Sequence, residues 1–183
     1  MTDQSADQRK TFTTQATSRS EIRELLEGIF VSELLVPSES IWLVSPWITD
    51  IDILDNRCGQ FSSLVPTWGL RRIKLSEVFA HIIDQSRVHI VARPDTHNDS
   101  FLQKMRDLSR ASETPGNLHV VIKDTLHLKG LLGQDYYLSG SMNLTYNGVE
   151  VNHEGVSLDR SQAAIAAARI HFQESYGVGN DAD

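Results

Sequence analysis

Short apolar runs with strand character alternate along this chain with segments whose apolar residues recur at helical spacing, and few architectures accommodate that alternation. Residues 40–47 (SIWLVSPW), 88–92 (VHIVA) and 118–122 (LHVVI) read as buried strands. Between and around them, Ile22, Leu25, Leu26 and Ile29, then Leu75, Val78, Phe79, Ile82 and Ile83, then Phe101, Leu102, Met105 and Leu108 each line one helix face. A last alanine-rich helix carries Ile165, Ala168 and Phe172. The order predicts an α/β fold, a helix–sheet–helix sandwich whose mixed β-sheet is covered on both faces. At 183 residues, with no internal repeat, the chain suits one domain.

The polar, turn-rich residues 1–17 read as a flexible N-terminal arm, 18–176 as the domain and 177–183 as a C-terminal tail. Ser18-x-x-Glu21 reads as a capping box, Asp99 or Ser100 as the cap of the third helix, and Asp159-x-x-Gln162 as the opening of the last. Asn147-Gly148 reads as the end of a short helix, and residues 50–69 as a long substrate-facing loop. A net charge of −7 argues against a surface that coats nucleic acid, yet leaves room for a small positive cleft. Arg71, Arg72 and Lys74 form the one basic cluster, equally readable as a solvated helix start. With Cys58 as the sole cysteine, neither a disulfide framework nor a cysteine-based metal site is available. Residues 1–14 lack an apolar signal-peptide core, and no run approaches the ~20 apolar residues of a membrane span. A soluble, cytoplasmic protein with no membrane association is expected.

The chemistry concentrates late in the chain. His127 and Lys129 are two apart, so on a strand they share a face. Ser141 and Asn143 repeat that spacing, and Gly140 before them would let a ligand approach the backbone. Asn152-His153-Glu154 adds a carboxylate able to orient a histidine. Alone, each has an ordinary reading: a surface histidine, a strand-edge lysine, turn polar groups, a solvated glutamate. Together they describe a phosphoryl-transfer site across one sheet. His153-Glu154 has no HxH or HExxH spacing for a metal, Ser139-Gly140-Ser141 is not a GxSxG elbow, and there is no GxxxxGK loop. Trp42 and Trp47 read as core rather than as a stacking platform.

The run HLKGLLGQDYYLSGSMNLTYNGVEVNHE, residues 127–154, resembles the signature of the phospholipase D superfamily: HxKxxxxD, then GSxN, then NxE. The layout agrees over roughly residues 20–176. One departure is plain. Five residues separate Lys129 from Asp135 where the family has four, Gln134 stands in the aspartate slot, and the stretch to Gly140 is one residue shorter. A tightened turn at Gly133-Gln134-Asp135 would place Asp135 in the aspartate role with Gln134 facing solvent.

The resemblance implies a homodimer with the active site on its two-fold axis, because single-motif members bring two copies together. It implies that His127 attacks phosphorus to form a phosphohistidine, while His127 of the partner subunit protonates the leaving group. Lys129 would hold the phosphate, Ser141 and Asn143 would bond its oxygens, and Glu154 would accept from His127 Nδ1. No metal and no cofactor is expected. Small single-motif members are usually nucleases, so the implied activity is a metal-independent phosphodiesterase, an endonuclease acting on DNA. The GSMNLTYNG wording resembles phospholipase D-like proteins of bacterial defence and DNA-modification clusters, which implies restriction or phage defence alongside partner proteins. Two alternatives stay open. One is a non-catalytic subunit that binds phosphate or nucleic acid within a larger complex. The other, a phospholipase or phosphatidyl transferase, would call for an apolar rim that is not conspicuous.

Overall fold

The computed structural model describes residues 8–12, 18–152 and 154–177. In chain order its elements are β1 (Gln8–Phe12), α1 (Ser18–Leu35), β2 (Ser40–Val44), β3 (Asp52–Asp55), β4 (Arg72–Lys74), α2 (Leu75–Ile83), β5 (Arg87–Ala92) and α3 (Thr96–Ala111). There follow β6 (Leu118–Ile122), β7 (Gly130–Leu132), β8 (Tyr137–Gly140), α4 (Tyr146–Glu150), β9 (Gly155–Asp159) and α5 (Gln162–Tyr176). Seven strands build one mixed sheet in the order β1-β9-β8-β7-β2-β5-β6. β2, β5 and β6 pair in parallel, and every pairing from β2 through β7 to β1 is antiparallel.

Strand alternation explains how one sheet feeds two cores. On β2, Ile41 and Leu43 join the core under α1, α2 and α3, whereas Trp42 and Val44 join the one under α5. Leu131 and Leu138 follow the first pair, and Leu132 and Tyr137 the second. Ile22, Leu26 and Phe30 of α1 meet Phe79 of α2 and Phe101 and Met105 of α3, while α5 contributes Ile165, Ala168 and Phe172. The helix–sheet–helix sandwich read from the sequence is the fold observed.

Several boundaries differ from the reading of the sequence. Residues 8–12 are not part of an arm; they form an antiparallel edge strand on β9, held by backbone bonds that need no apolar pattern. The remainder of that stretch, residues 1–7 and 13–17, lies outside the described residues, as do residues 178–183 of the tail. The 50–69 loop contains β3, which pairs with β4 in a separate two-stranded sheet. The basic cluster is paired in and beside that small sheet: Arg71 pairs with Glu77 of α2, and Arg72 and Lys74 both reach Asp52. Helix α3 begins earlier than read, because Asp95 caps it by accepting from the His97 N–H. Asn147-Gly148 does not end α4 but sits inside it, since Thr145 caps the start by accepting from the Gly148 N–H. Ser161, itself held by Asp159, caps α5. The Ser18 side chain lies outside the described residues.

Candidate functional site

One end of the sheet gathers the loops that matter. The parallel strands β2 and β5 finish there at Ser45-Pro46-Trp47 and Arg93, β8 finishes at Ser141, and β7 and β9 begin there after Lys129 and Glu154. Crevices beyond the carboxyl ends of parallel strands are where α/β sheets bind ligands.

His127 and Lys129 precede β7 in an irregular segment rather than lying on a strand, so they do not share a strand face. His127 is exposed. Lys129 is half-buried, and its Nζ donates to the His127 carbonyl at 2.7 Å, fixing the segment between them. The terminal guanidinium nitrogen of Arg93 lies 3.4 Å from His127 Nε2. A guanidinium has no acceptor, so this contact turns the Nε2 lone pair toward Arg93 and leaves Nδ1 to carry the ring proton. Arg93 Nε is buried with no partner among the described residues. An under-satisfied guanidinium beside a nucleophilic nitrogen is a natural seat for an oxyanion.

Arg93 was not legible as a site residue in the sequence. Its only signal was its place at the carboxyl end of a strand, before Pro94. The structure sets it over the Trp47 ring, 5.7 Å from guanidinium carbon to centroid. Trp47 in turn donates from Nε1 to Asp95 at 2.9 Å. Together with the His97 N–H, that bond holds the Asp95 carboxyl below its usual range. Trp42 is core, as read, but Trp47 is half-buried and faces the site's cleft.

The second polar pair is also placed here. Ser141 donates from its hydroxyl to Glu154 and receives the Gly155 N–H at 3.1 Å. Glu154 accepts from Asn152 at 3.3 Å as well. Its carboxylate is therefore engaged by Ser141 and Asn152, not by His127 Nδ1 as the resemblance implies, because the β8–β9 pairing draws Ser141 and Gly155 together. Asn143 Oδ1 sits 3.4 Å from the Ser45 hydroxyl, whose stronger bond goes to the Trp47 carbonyl at 2.8 Å. The Asn143 amide group lines a cleft of about 600 Å³ with Trp47, Asp95, Tyr146, Asn147 and Asn152. His153 lies outside the described residues.

Gly140 and Asp135 are placed otherwise than expected. Gly140 serves the sheet. A Cβ there would meet the Gly155 carbonyl oxygen at 2.0 Å, so the glycine permits close approach of β9. Asp135 is remote from the site. Gly130 pairs with Ser139 and Leu132 with Tyr137, which puts Lys129 and Ser141 at one end of the hairpin and Gln134 and Asp135 at the other. Asp135 is exposed with no side-chain bond among the described residues, and Gln134 is exposed too. The tight turn is held instead by Glu33, which accepts from the Ser38 backbone N–H at 2.8 Å and its hydroxyl at 2.7 Å. Ser38 Oγ then receives the Gln134 N–H at 2.8 Å. A Cβ on Gly133 would strike Tyr136 and Glu33, so the shortened hairpin closes only over glycine.

Among the described residues, no group of three His, Cys, Asp or Glu side chains is placed to hold a metal ion, and no helix is long and apolar enough to cross a membrane.

No family model matches the chain, and no curated protein matches it by sequence. Solved structures do. NucT from Helicobacter pylori superposes with a TM-score of 0.58 at 15% identity, over 91% of this chain and 94% of that one. Nuc from Salmonella typhimurium, a phospholipase D family member, superposes with a TM-score of 0.57 at 12% identity over 91% of each chain. A phosphatidylserine synthase from Haemophilus influenzae gives 0.58 at 16% identity, over 92% of this chain but 38% of that one. The chain has the phospholipase D-like fold.

Proposed function

We propose that this protein is a phosphodiesterase acting on nucleic acid, an endonuclease on DNA, that works through a phosphohistidine. The carrying observation is the meeting of His127 and Arg93 at 3.4 Å, within a loop cluster that also holds Lys129, Ser141 and Asn143. On substrate binding Arg93 turns from His127 Nε2 to the phosphate oxygens, which frees that lone pair to attack phosphorus; an N–P bond forms and the P–O bond to the leaving oxygen breaks. Arg93 and Lys129 offset charge on the phosphoryl oxygens, with the Asn143 amide as a neutral donor. The leaving oxygen takes a proton from His127 of the partner subunit, which then removes one from a water whose oxygen bonds to phosphorus as the N–P bond breaks and frees the first histidine. Each chain supplies one such histidine, and His127 is exposed, so a two-fold homodimer would complete the pair. Positive charge comes from Arg93 and Lys129, which supports turnover without a divalent ion.

That the small NucT and Nuc are matched over nearly their whole length supports a nuclease over a lipid-acting enzyme. The GSMNLTYNG wording supports a role in restriction or phage defence with partner proteins. The non-catalytic phosphate-binding reading is favoured by one observation: Glu154 is engaged with Ser141 rather than with His127. Incubating the pure protein with supercoiled plasmid, single-stranded oligonucleotide and phosphatidylcholine vesicles separates these readings. Cleavage of DNA alone is expected. Lipid hydrolysis without DNA cleavage would replace the nuclease reading, and binding without cleavage of either would support the non-catalytic one.

A further inference from the structure

The cleft beside His127 contains more than phosphate chemistry needs. Its walls are Trp47, Thr49, Asp95, His97, Asn143, Thr145, Tyr146, Asn147 and Asn152, and its volume of about 600 Å³ is that of a small-molecule site. Two aromatic rings meet this cleft, one held in place and one exposed. Trp47 is pinned by Asp95 at Nε1 and by Arg93 over its face. Tyr146 is 64% exposed at the first turn of α4. Around them stand amides and hydroxyls that can both donate and accept.

The placement of charge divides this surface into two parts. Arg93 and Lys129, which both contact His127, belong to the phosphate side, and neither lines the cleft. The one carboxylate in the cleft, Asp95, has both oxygens engaged, by the His97 N–H and by Trp47 Nε1. The cleft offers an acyl chain little apolar wall, since beyond its two aromatic rings it is lined by polar side chains. A flat heteroaromatic ring with a polar edge suits aromatic faces and amides together, and stacking on such faces is how proteins hold unpaired bases.

Resting on the phosphodiesterase reading above, we infer that this cleft takes the nucleobase next to the scissile phosphate. Tyr146 and Trp47 stack on the base while Asn147 bonds its edge, so the substrate is single-stranded DNA or a base turned out of a duplex. Trp47 also links the two parts of the surface, because the ring that meets the base also supports the arginine that meets the phosphate.

The test is a comparison of bases against backbone. Binding of an eight-nucleotide single strand and of the same strand made wholly of abasic residues is measured by fluorescence anisotropy, for wild type, Tyr146→Ala and Tyr146→Phe. Wild type is expected to bind the natural strand about tenfold more tightly than the abasic one, in line with one lost stacking contact. Tyr146→Ala should erase most of that difference while leaving abasic binding unchanged, and Tyr146→Phe should keep it. Equal binding of both strands by wild type, or a loss in Tyr146→Ala that is the same on both, would overturn the base site. Neither result would touch the phosphodiesterase reading, which cleavage of the strands by wild type decides separately. Cleavage of the natural strand with no base dependence in binding or rate would leave the enzyme standing and the base site refuted.

Discussion

At the scale of single residues, the irregular spacing after Lys129 is resolved by a residue nearly a hundred positions earlier. Glu33 accepts two bonds from Ser38, one at each carboxyl oxygen, and through Ser38 it holds the Gln134 backbone. An amide at this position accepts through one atom only, and its NH₂ would oppose a donor. Glu33→Gln should therefore destabilise the fold by about 1–3 kcal/mol, which thermal unfolding reads as a fall of several degrees. Asp135→Asn, at an exposed turn position, should leave the midpoint within about 2 °C of wild type and leave activity unchanged. A large loss in Asp135→Asn with none in Glu33→Gln would restore the aspartate to the role that the spacing implied. His127, Lys129, Ser141 and Asn143 were legible because they lie close in sequence and carry chemistry in their spacing. Arg93 and Trp47 were not, because strand packing, rather than sequence proximity, brings Arg93 to His127 and Trp47 to Arg93.

At the scale of elements, what the sequence disclosed follows how each element is stabilised. Helix α2 announces itself because its apolar residues recur at helical spacing, and strand β5 because it is a short apolar run buried on both faces. Strand β1 does not, since four of its five residues are polar and it pairs with the backbone of β9. The pair β3–β4 hid among turn residues in a segment of three and four residues a side. Across β2, β5 and β6, three rings stack in register: Trp42 on His89 at 3.9 Å and His89 on His119 at 4.8 Å. Burial, then the neighbouring His119 and Arg87, lowers His89 from 6.5 to about 4. In the unfolded chain His89 takes up its proton near 6.5, and in the fold only near 4. Its stabilising contribution is thus complete above about 6.5 and is lost as pH falls toward 4. His89→Phe keeps the stack and removes the titration. The midpoint of this variant should fall less steeply than that of wild type between pH 6.5 and 4, and equal slopes would show that His89 does not carry the effect.

At the scale of the whole molecule, the account requires two chains for one reaction. If each cleft uses both copies of His127, mixing wild type with excess His127→Ala chain, under conditions that exchange subunits, should lower activity below simple dilution. Strict proportionality to the wild-type fraction would argue for independent sites. The sheet end that gathers β2, β5, β7, β8 and β9 supplies His127, Lys129 and Arg93 to one place, and the central claim is that these groups cut a phosphodiester with their own charge. The most direct measurement is plasmid and oligonucleotide cleavage in excess EDTA by wild type and by His127→Ala, with thermal unfolding of both. Undiminished cleavage by wild type in chelator is expected, with a loss of at least about a thousandfold in a His127→Ala protein that still folds, as removal of a nucleophile causes elsewhere. Loss of wild-type activity in EDTA with recovery on adding one divalent ion, or His127→Ala activity within a few-fold of wild type, would contradict it.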